Sequence, residues 1–271
     1  MNLRSFLVVL IISVFINVVG YAASERTLED GLYKQLRSTH FIIFYDSQVD
    51  KTYAAKIKDT AEEFYRIITQ EFNLVRDEPW LWEDRTKIFI AKNKTDYLDY
   101  FSCSEWSGAC VNYQERTIYT YPDYLRFKPI FIHELTHIIF RERVGMNNLP
   151  LWLDEGIAVY TENKYTQDSF GQDIQALKEN ILSGNYIKFV DLNKITTDSL
   201  ASKPKDYVRL FYCESFSLVD LMISKYKKYN FNRFIVFLQK GFSVEDALNK
   251  CFYAFKGLDG LEKKWKKFYQ D

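Results

Sequence analysis

Histidine is scarce in this 271-residue chain, with three in all, and proline and glycine are also few, at 5 and 10. So few helix breakers leave no Pro/Gly-rich linker long enough to separate independent domains. Neither sign of charge is in excess, because Lys plus Arg equals Asp plus Glu at 36 each. That balance gives no support for a general nucleic-acid or membrane-surface binder, which needs a surplus of basic residues. The four cysteines contain no Cys-x-x-Cys pair, so a zinc ribbon or a thioredoxin-type redox site is disfavoured. Internal repeats and low-complexity tracts are missing, and no apolar run reaches the roughly 20 residues of a membrane-spanning helix.

What is present is bulk. Apolar types make up 47% of the chain and aromatics 17%, enough for a sizeable core and an aromatic cleft. Arg4 precedes the apolar run Phe6 to Val19, which ends in Gly20-Tyr21-Ala22-Ala23. This three-part layout reads as a signal peptide over residues 1–22, cleaved after Ala22, with mature protein from 23 to 271, an uncleaved anchor being the other reading. The expected destination is the periplasm or the exterior, with no stable membrane association afterwards. Export permits disulfides. Cys103 and Cys110 bracket a short loop that a bridge would close, and Cys213–Cys251 would then tie two helices together. Four buried thiols are the other reading.

Along the mature chain, His40 to Tyr45 reads as a strand, and Lys51 to Phe72 as a helix with Ala54, Ile57, Ala61, Phe64, Ile68 and Phe72 on one stripe. Lys87 to Ala91 is a second strand. Val111–Tyr113 and Thr117–Tyr121 read as a hairpin whose second strand is a candidate edge for an extended peptide. After Pro129 the pattern is helical to the end. The fold class is α+β, with a mixed α/β lobe to about residue 145 and a mainly helical lobe after it.

The chemistry concentrates in Phe131-Ile132-His133-Glu134-Leu135-Thr136-His137-Ile138-Ile139. Two His at i and i+4 leave one helix face a turn apart, the separation at which two imidazoles bind one zinc. Glu134 lies beside them, placed to reach water rather than metal. The apolar neighbours bury this helix, and buried polar groups without partners cost several kcal/mol, about 2–7 by transfer scales. A metal removes that cost. Chance yields the pattern on the order of 0.002 times per chain of this composition.

A catalytic zinc takes three protein ligands, and no His follows His137. Pro150-Leu151-Trp152-Leu153-Asp154-Glu155-Gly156-Ile157-Ala158 offers a carboxylate inside an apolar run that opens a second helix. Glu155 is the expected third ligand, because Gly156 and the small residues after it permit a close helix approach. Asp154 reads as a helix N-terminal carboxylate favoured by the macrodipole, and either it or a backbone carbonyl would support a ligating His. Glu142 and Glu162 are weaker alternatives. His40 and the lysines around Trp265 read as ordinary structure.

These two motifs resemble the gluzincin metallopeptidases, specifically the peptidase MA-like domain proteins. The resemblance extends to Tyr212-Cys213-Glu214-Ser215 and, near the end, to Leu261-Glu262-Lys263-Lys264-Trp265. It implies a zincin-like catalytic unit binding one Zn2+ per chain in a cleft between lobes. His133, His137 and Glu155 would be the ligands and Glu134 the general base. Tyr212 would stabilise the oxyanion, with Tyr207 second. The substrate would be a peptide or protein. Val159 stands where some relatives place a supporting carboxylate, and the Met-Glu-Asn motif that anchors the free amine in zinc aminopeptidases is missing, which disfavours exopeptidase action. The rival expectation is a secreted binding or scaffold protein that keeps the fold without turnover.

Overall fold

The structure, a computed structural model, describes residues 32–74, 80, 84–101, 103, 108–145, 149–166 and 171–270. The proposed signal segment lies outside them. The chain divides into two compact units, one of Met1–Glu71 with Val75–Leu135 and one of Phe72–Leu74 with Thr136–Asp271.

The first unit is built on five strands, β1 (Tyr33–Arg37), β2 (Phe41–Asp46), β3 (Thr86–Ile90), β4 (Ala109–Asn112) and β5 (Thr117–Thr120). They lie in the order β1-β2-β3-β5-β4. β2, β3 and β5 run parallel, and β1 and β4 flank them antiparallel. The three central strands are largely buried on both faces, which is why β2 and the end of β3 read as apolar runs and why even the threonines of β5 are enclosed. One face stacks Phe44 on Phe89 and Phe89 on Tyr119, in the order the register dictates. Helix α2 (Lys94–Phe101) covers that face with Tyr97 and Phe101. The opposite face presents Phe41, Ile43, Ile88 and Ile118, all fully buried. Helix α1 (Lys51–Glu71) supplies the stripe Ala54, Ile57, Ala61, Phe64 and Ile68, and Phe131 packs on both Phe41 and Phe64.

Phe131 belongs to α3 (Tyr124–Val144), a helix that starts five residues before Pro129 rather than after it. Asp123 caps it, accepting the Arg126 N–H through its side chain. Proline removes the hydrogen bond to the carbonyl of Leu125. Leu125 is 87% exposed, so the lost bond falls in a solvent-facing first turn, where it costs least, and the helix continues. The hairpin is also corrected in detail. β5 is enclosed between β3 and β4, so β4 and not β5 is the edge strand. Cys103 and Cys110 form a disulfide, which pins the edge strand to the end of α2.

The second unit is helical: α4 (Leu151–Thr166), α5 (Gly171–Ser183), α6 (Phe189–Leu192), α7 (Thr197–Ala201), α8 (Lys205–Asp220), α9 (Lys228–Gln239), α10 (Val244–Cys251) and α11 (Gly257–Gln270). α8 runs on into a π-helical turn, Leu221–Lys225. Cys213 and Cys251 are both buried and not bridged. Their surroundings differ: Cys213 lines a cleft beside Leu177 and Leu210, whereas Cys251 lies in the field of Arg233 and Lys250. α11 locks onto α8 through the Trp265 indole, which donates to Ser217 Oγ at 2.7 Å, and the Tyr269 hydroxyl, which donates to the Ser217 carbonyl at 3.1 Å.

The tightest helix contact is between α4 and α8. A Cβ on Gly156 would lie 2.4 Å from the Ser215 carbonyl oxygen and 2.9 Å from Val219. The clash is with backbone, which cannot rotate away. Gly156→Ala is therefore expected to destabilise the chain by about 1–3 kcal/mol, the range for overpacking a filled interior, as read from urea unfolding.

Glu214, on the same helix, is fully buried. One carboxyl oxygen accepts the Ile187 N–H at 2.8 Å, and the other has no hydrogen-bond partner among the described residues. Burial, opposed by that one hydrogen bond and reinforced by the charge of Glu262, pushes its pKa up to about 8. A carboxyl raised this way is protonated in the folded chain and ionised in the unfolded one between its ordinary value and 8, so stability falls as pH rises through that window. Glu214→Gln is expected to flatten the decline in unfolding midpoint between about pH 5 and 8. A slope identical to the wild type would contradict this account.

Candidate metal centre

The polar residues singled out in α3 and α4 lie in the interior. His133, Glu134, His137, Asp154 and Glu155 are none of them more than 5% exposed. The i, i+4 spacing holds both imidazoles on one face of α3, since Tyr124–Val144 is one helix. Pro150 sets the start of α4, its carbonyl accepting the N–H groups of Leu153 and Asp154. The first turns of α4 thus carry Asp154 and Glu155, and Gly156 allows the backbone of α8 to approach directly behind them.

One ligand atom each from His133, His137 and Glu155 lies within 4.8 Å of the others. His137 Nε2 is 3.5 Å from Glu155 Oε2. Two ligands at about 2.0–2.1 Å from a tetrahedral zinc stand roughly 3.4 Å apart, so this pair has the spacing of a shared ion. Two nitrogens and one carboxylate oxygen also form the donor set of a catalytic rather than a structural zinc site. Neither Glu142 nor Glu162 enters the group.

The rear nitrogen of His137 fixes which nitrogen faces the group. Its Nδ1 donates to Asp154 Oδ1 at 2.9 Å, since a carboxylate can only accept. Asp154 Oδ2 in turn accepts from Arg141 Nε at 2.8 Å and lies 2.7 Å from Nη2. Arg141 is one turn after His137, so the three residues form an Arg–Asp–His chain that presents Nε2 to the ligand side. Burial by itself would lower the His137 pKa, but the charges of Asp154 and Glu155 outweigh it and raise it. Burial likewise opposes ionisation of Asp154, and His137 and Arg141 together outweigh that and hold it below its ordinary range. The carboxylate at Asp154 therefore takes both roles read for it, helix-start charge and His support, in place of one at Val159. The involvement of Arg141 was not foreseen. Its signal was an i+4 spacing from a ligand-type His, indistinguishable in sequence from a helix C-terminal cation.

Glu134 is approached from the first unit. Tyr113, the residue after β4, donates its hydroxyl to Glu134 Oε2. That partner also went unread. Tyr212 is buried on α8, one turn before Ser215, with its ring edge-on to Phe211 at 5.6 Å. Tyr207 lines a cleft of about 470 Å³ with Asp206, Arg209 and Asn180; burial, then the charges of Glu214 and Asp191, raises its pKa. His40 pairs with Glu62 at 2.6 Å and stacks on Tyr65, a structural role.

Removing the Asp154 carboxylate frees the His137 ring to rotate and weakens its basicity. Asp154→Asn is expected to lower metal affinity about 10- to 100-fold, the usual cost of losing a partner behind a ligating imidazole, as measured by competition with a chromogenic chelator. An unchanged affinity would show that Asp154 only anchors the helix.

The peptidase MA superfamily profile matches residues 81–271. No curated protein sequence matches the chain. Among solved structures it is similar to yeast LTA4 hydrolase in complex with bestatin, at 14% identity and a TM-score of 0.50, over 86% of this chain and 39% of that one. It is also similar to native leukotriene A4 hydrolase from Saccharomyces cerevisiae, at 15% identity and a TM-score of 0.46, over 86% and 38%. The chain thus spans less than two fifths of the length of those structures, and at such identity the first likeness concerns the fold, that of a zincin-like catalytic region. With the superfamily profile covering most of the sequence, and with both motifs on adjoining turns of α3 and α4, the chain belongs to the peptidase MA superfamily and has the gluzincin arrangement of two His and a downstream Glu.

Proposed function

We propose that the protein is an exported zinc metallopeptidase that hydrolyses peptide bonds within a chain. The observation that carries this reading is the buried group of His133, His137 and Glu155, with His137 oriented from behind by Asp154. A buried set of this kind has no apolar purpose. His133 Nε2 or Nδ1, His137 Nε2 and a Glu155 oxygen would hold the ion. Bound there, zinc supplies a Lewis acid that polarises a scissile carbonyl and acidifies water. Glu134 accepts the proton of the attacking water and returns it to the leaving amine. Tyr212 donates to the oxygen on which charge develops.

Two features favour an internal peptide over a free N-terminus. Edge strand β4, Ala109 to Asn112, carries no carboxylate to bind an α-amine. Its outer edge also offers the backbone groups with which an extended segment pairs. Export is supported by the Cys103–Cys110 disulfide, which persists only outside reducing compartments. Among the described residues no helix is long and apolar enough to cross a membrane.

The purified chain is expected to contain about one zinc, the count for a three-ligand site with one open position, and Glu155→Ala to lose most of it by elemental analysis. Glu134→Gln should keep the metal and lose hydrolysis of a mixed peptide library that the wild type cuts, with wild-type cutting abolished by chelator and restored by zinc. A folded, zinc-loaded wild type that leaves the library intact would favour the scaffold reading instead.

A further inference from the structure

We infer that Tyr113 is the positioning residue for the Glu134 carboxylate. The inference rests on the reading of Glu134 as general base and adds the residue that orients it. A glutamate reaches its carboxylate through three torsions, and the last is broad rather than confined to narrow wells. Helix α3 fixes where the Glu134 side chain begins but not which oxygen faces the ligand group. The Tyr113 hydroxyl donates to Oε2. It is borne on a rigid ring with two torsions, so it holds that oxygen at small entropic cost.

The bond spans 21 residues, from the hairpin turn to α3, within one compact unit. Both ends are firmly held. Glu134 is 2% exposed on a buried helix. Tyr113 opens the turn Tyr113–Arg116, whose closing residue has a positive φ of 50° and donates its N–H to the Tyr113 carbonyl. With Oε2 engaged, Oε1 is the oxygen left to take a proton from water. Glu134 thereby gains the third group that catalytic bases generally have, an orienter that never touches the reacting atoms.

The test compares zinc-loaded wild type, Tyr113→Phe and Glu134→Gln on one peptide, with a double-mutant cycle on the metal-free chain. Tyr113→Phe is expected to lower kcat roughly 10- to 100-fold, part of the 10²–10⁴ that a positioned base supplies. KM should stay within about twofold, since the phenol makes no uniform substrate contact, and zinc content should not change. A kcat within twofold of wild type overturns the assignment, as does a loss carried wholly by KM. In chelator, the unfolding free energies of Tyr113→Phe, Glu134→Ala and the double variant should be non-additive. Additivity would show that the hydroxyl and carboxylate are not coupled, and would overturn the inference whatever the activity. If Glu134→Gln retains full turnover, the general-base reading fails on its own, and the metal-free cycle alone then judges whether Tyr113 holds the carboxylate.

Discussion

Five polar side chains buried on two helices have to be satisfied where water does not reach, and much of the local architecture answers that requirement. An unpaired buried ion costs several kcal/mol even after relaxation. Asp154 meets the cost by binding His137 on one oxygen and Arg141 on the other. Glu134 meets it through the Tyr113 hydroxyl. The inner nitrogens of the imidazoles and the Glu155 carboxylate are the groups for which a cation supplies the most complete answer. The reading of the group as a metal site thus rests on the energetics of burial as much as on the motif.

The same constraint explains the backbone beside the site. For Glu155 to stand on a wholly interior stretch of α4, the next helix must close over it, and Gly156 gives α8 the room to do so. A residue with a side chain there would hold the helices apart and admit water beside the carboxylate. Water would solvate Asp154 and weaken the fields of His137 and Arg141 that hold it ionised. Close packing at one glycine is in this sense an electrostatic device. It also brings Ser215 and its neighbours on α8, the helix that carries Tyr212 one turn earlier, against the helix that bears Glu155.

Much of this was legible in the sequence because the informative spacings are local. The i, i+4 histidines, the stripe on α1 and the Pro150–Gly156 run each encode their geometry within two turns of helix. β2 and β3 were legible as β-branched, aromatic and apolar runs, and β5 as the second strand of a hairpin, for the same reason. What escaped was long-range or chemically ambiguous. Tyr113 is one of 20 tyrosines, and nothing in its neighbours points 21 residues onward to Glu134. Which hairpin strand lies at the edge depends on β3 pairing with β5, a choice no local pattern records. Pro129 looked like a helix start because proline favours first turns, yet an exposed first turn lets it sit deeper. Cys213 and Cys251 looked pairable by elimination, but elimination carries no distance.

The contrast between Glu214 and Asp154 shows how a fold of this kind distributes charge. Both are carboxyls on buried helix faces, yet one is driven towards the neutral form and the other towards the ionised one. The difference is the partner. Asp154 faces a guanidinium and an imidazole, whereas Glu214 faces a single backbone N–H and the like charge of Glu262. Asp154 is thus held ionised at the start of α4, beside the residues that would hold a cation, whereas the carboxyl on α8 is kept protonated. A neutral Glu214 lets α8 bury a carboxyl with a single backbone partner, at the cost of stability that is lost as pH rises from the ordinary carboxyl range to about 8.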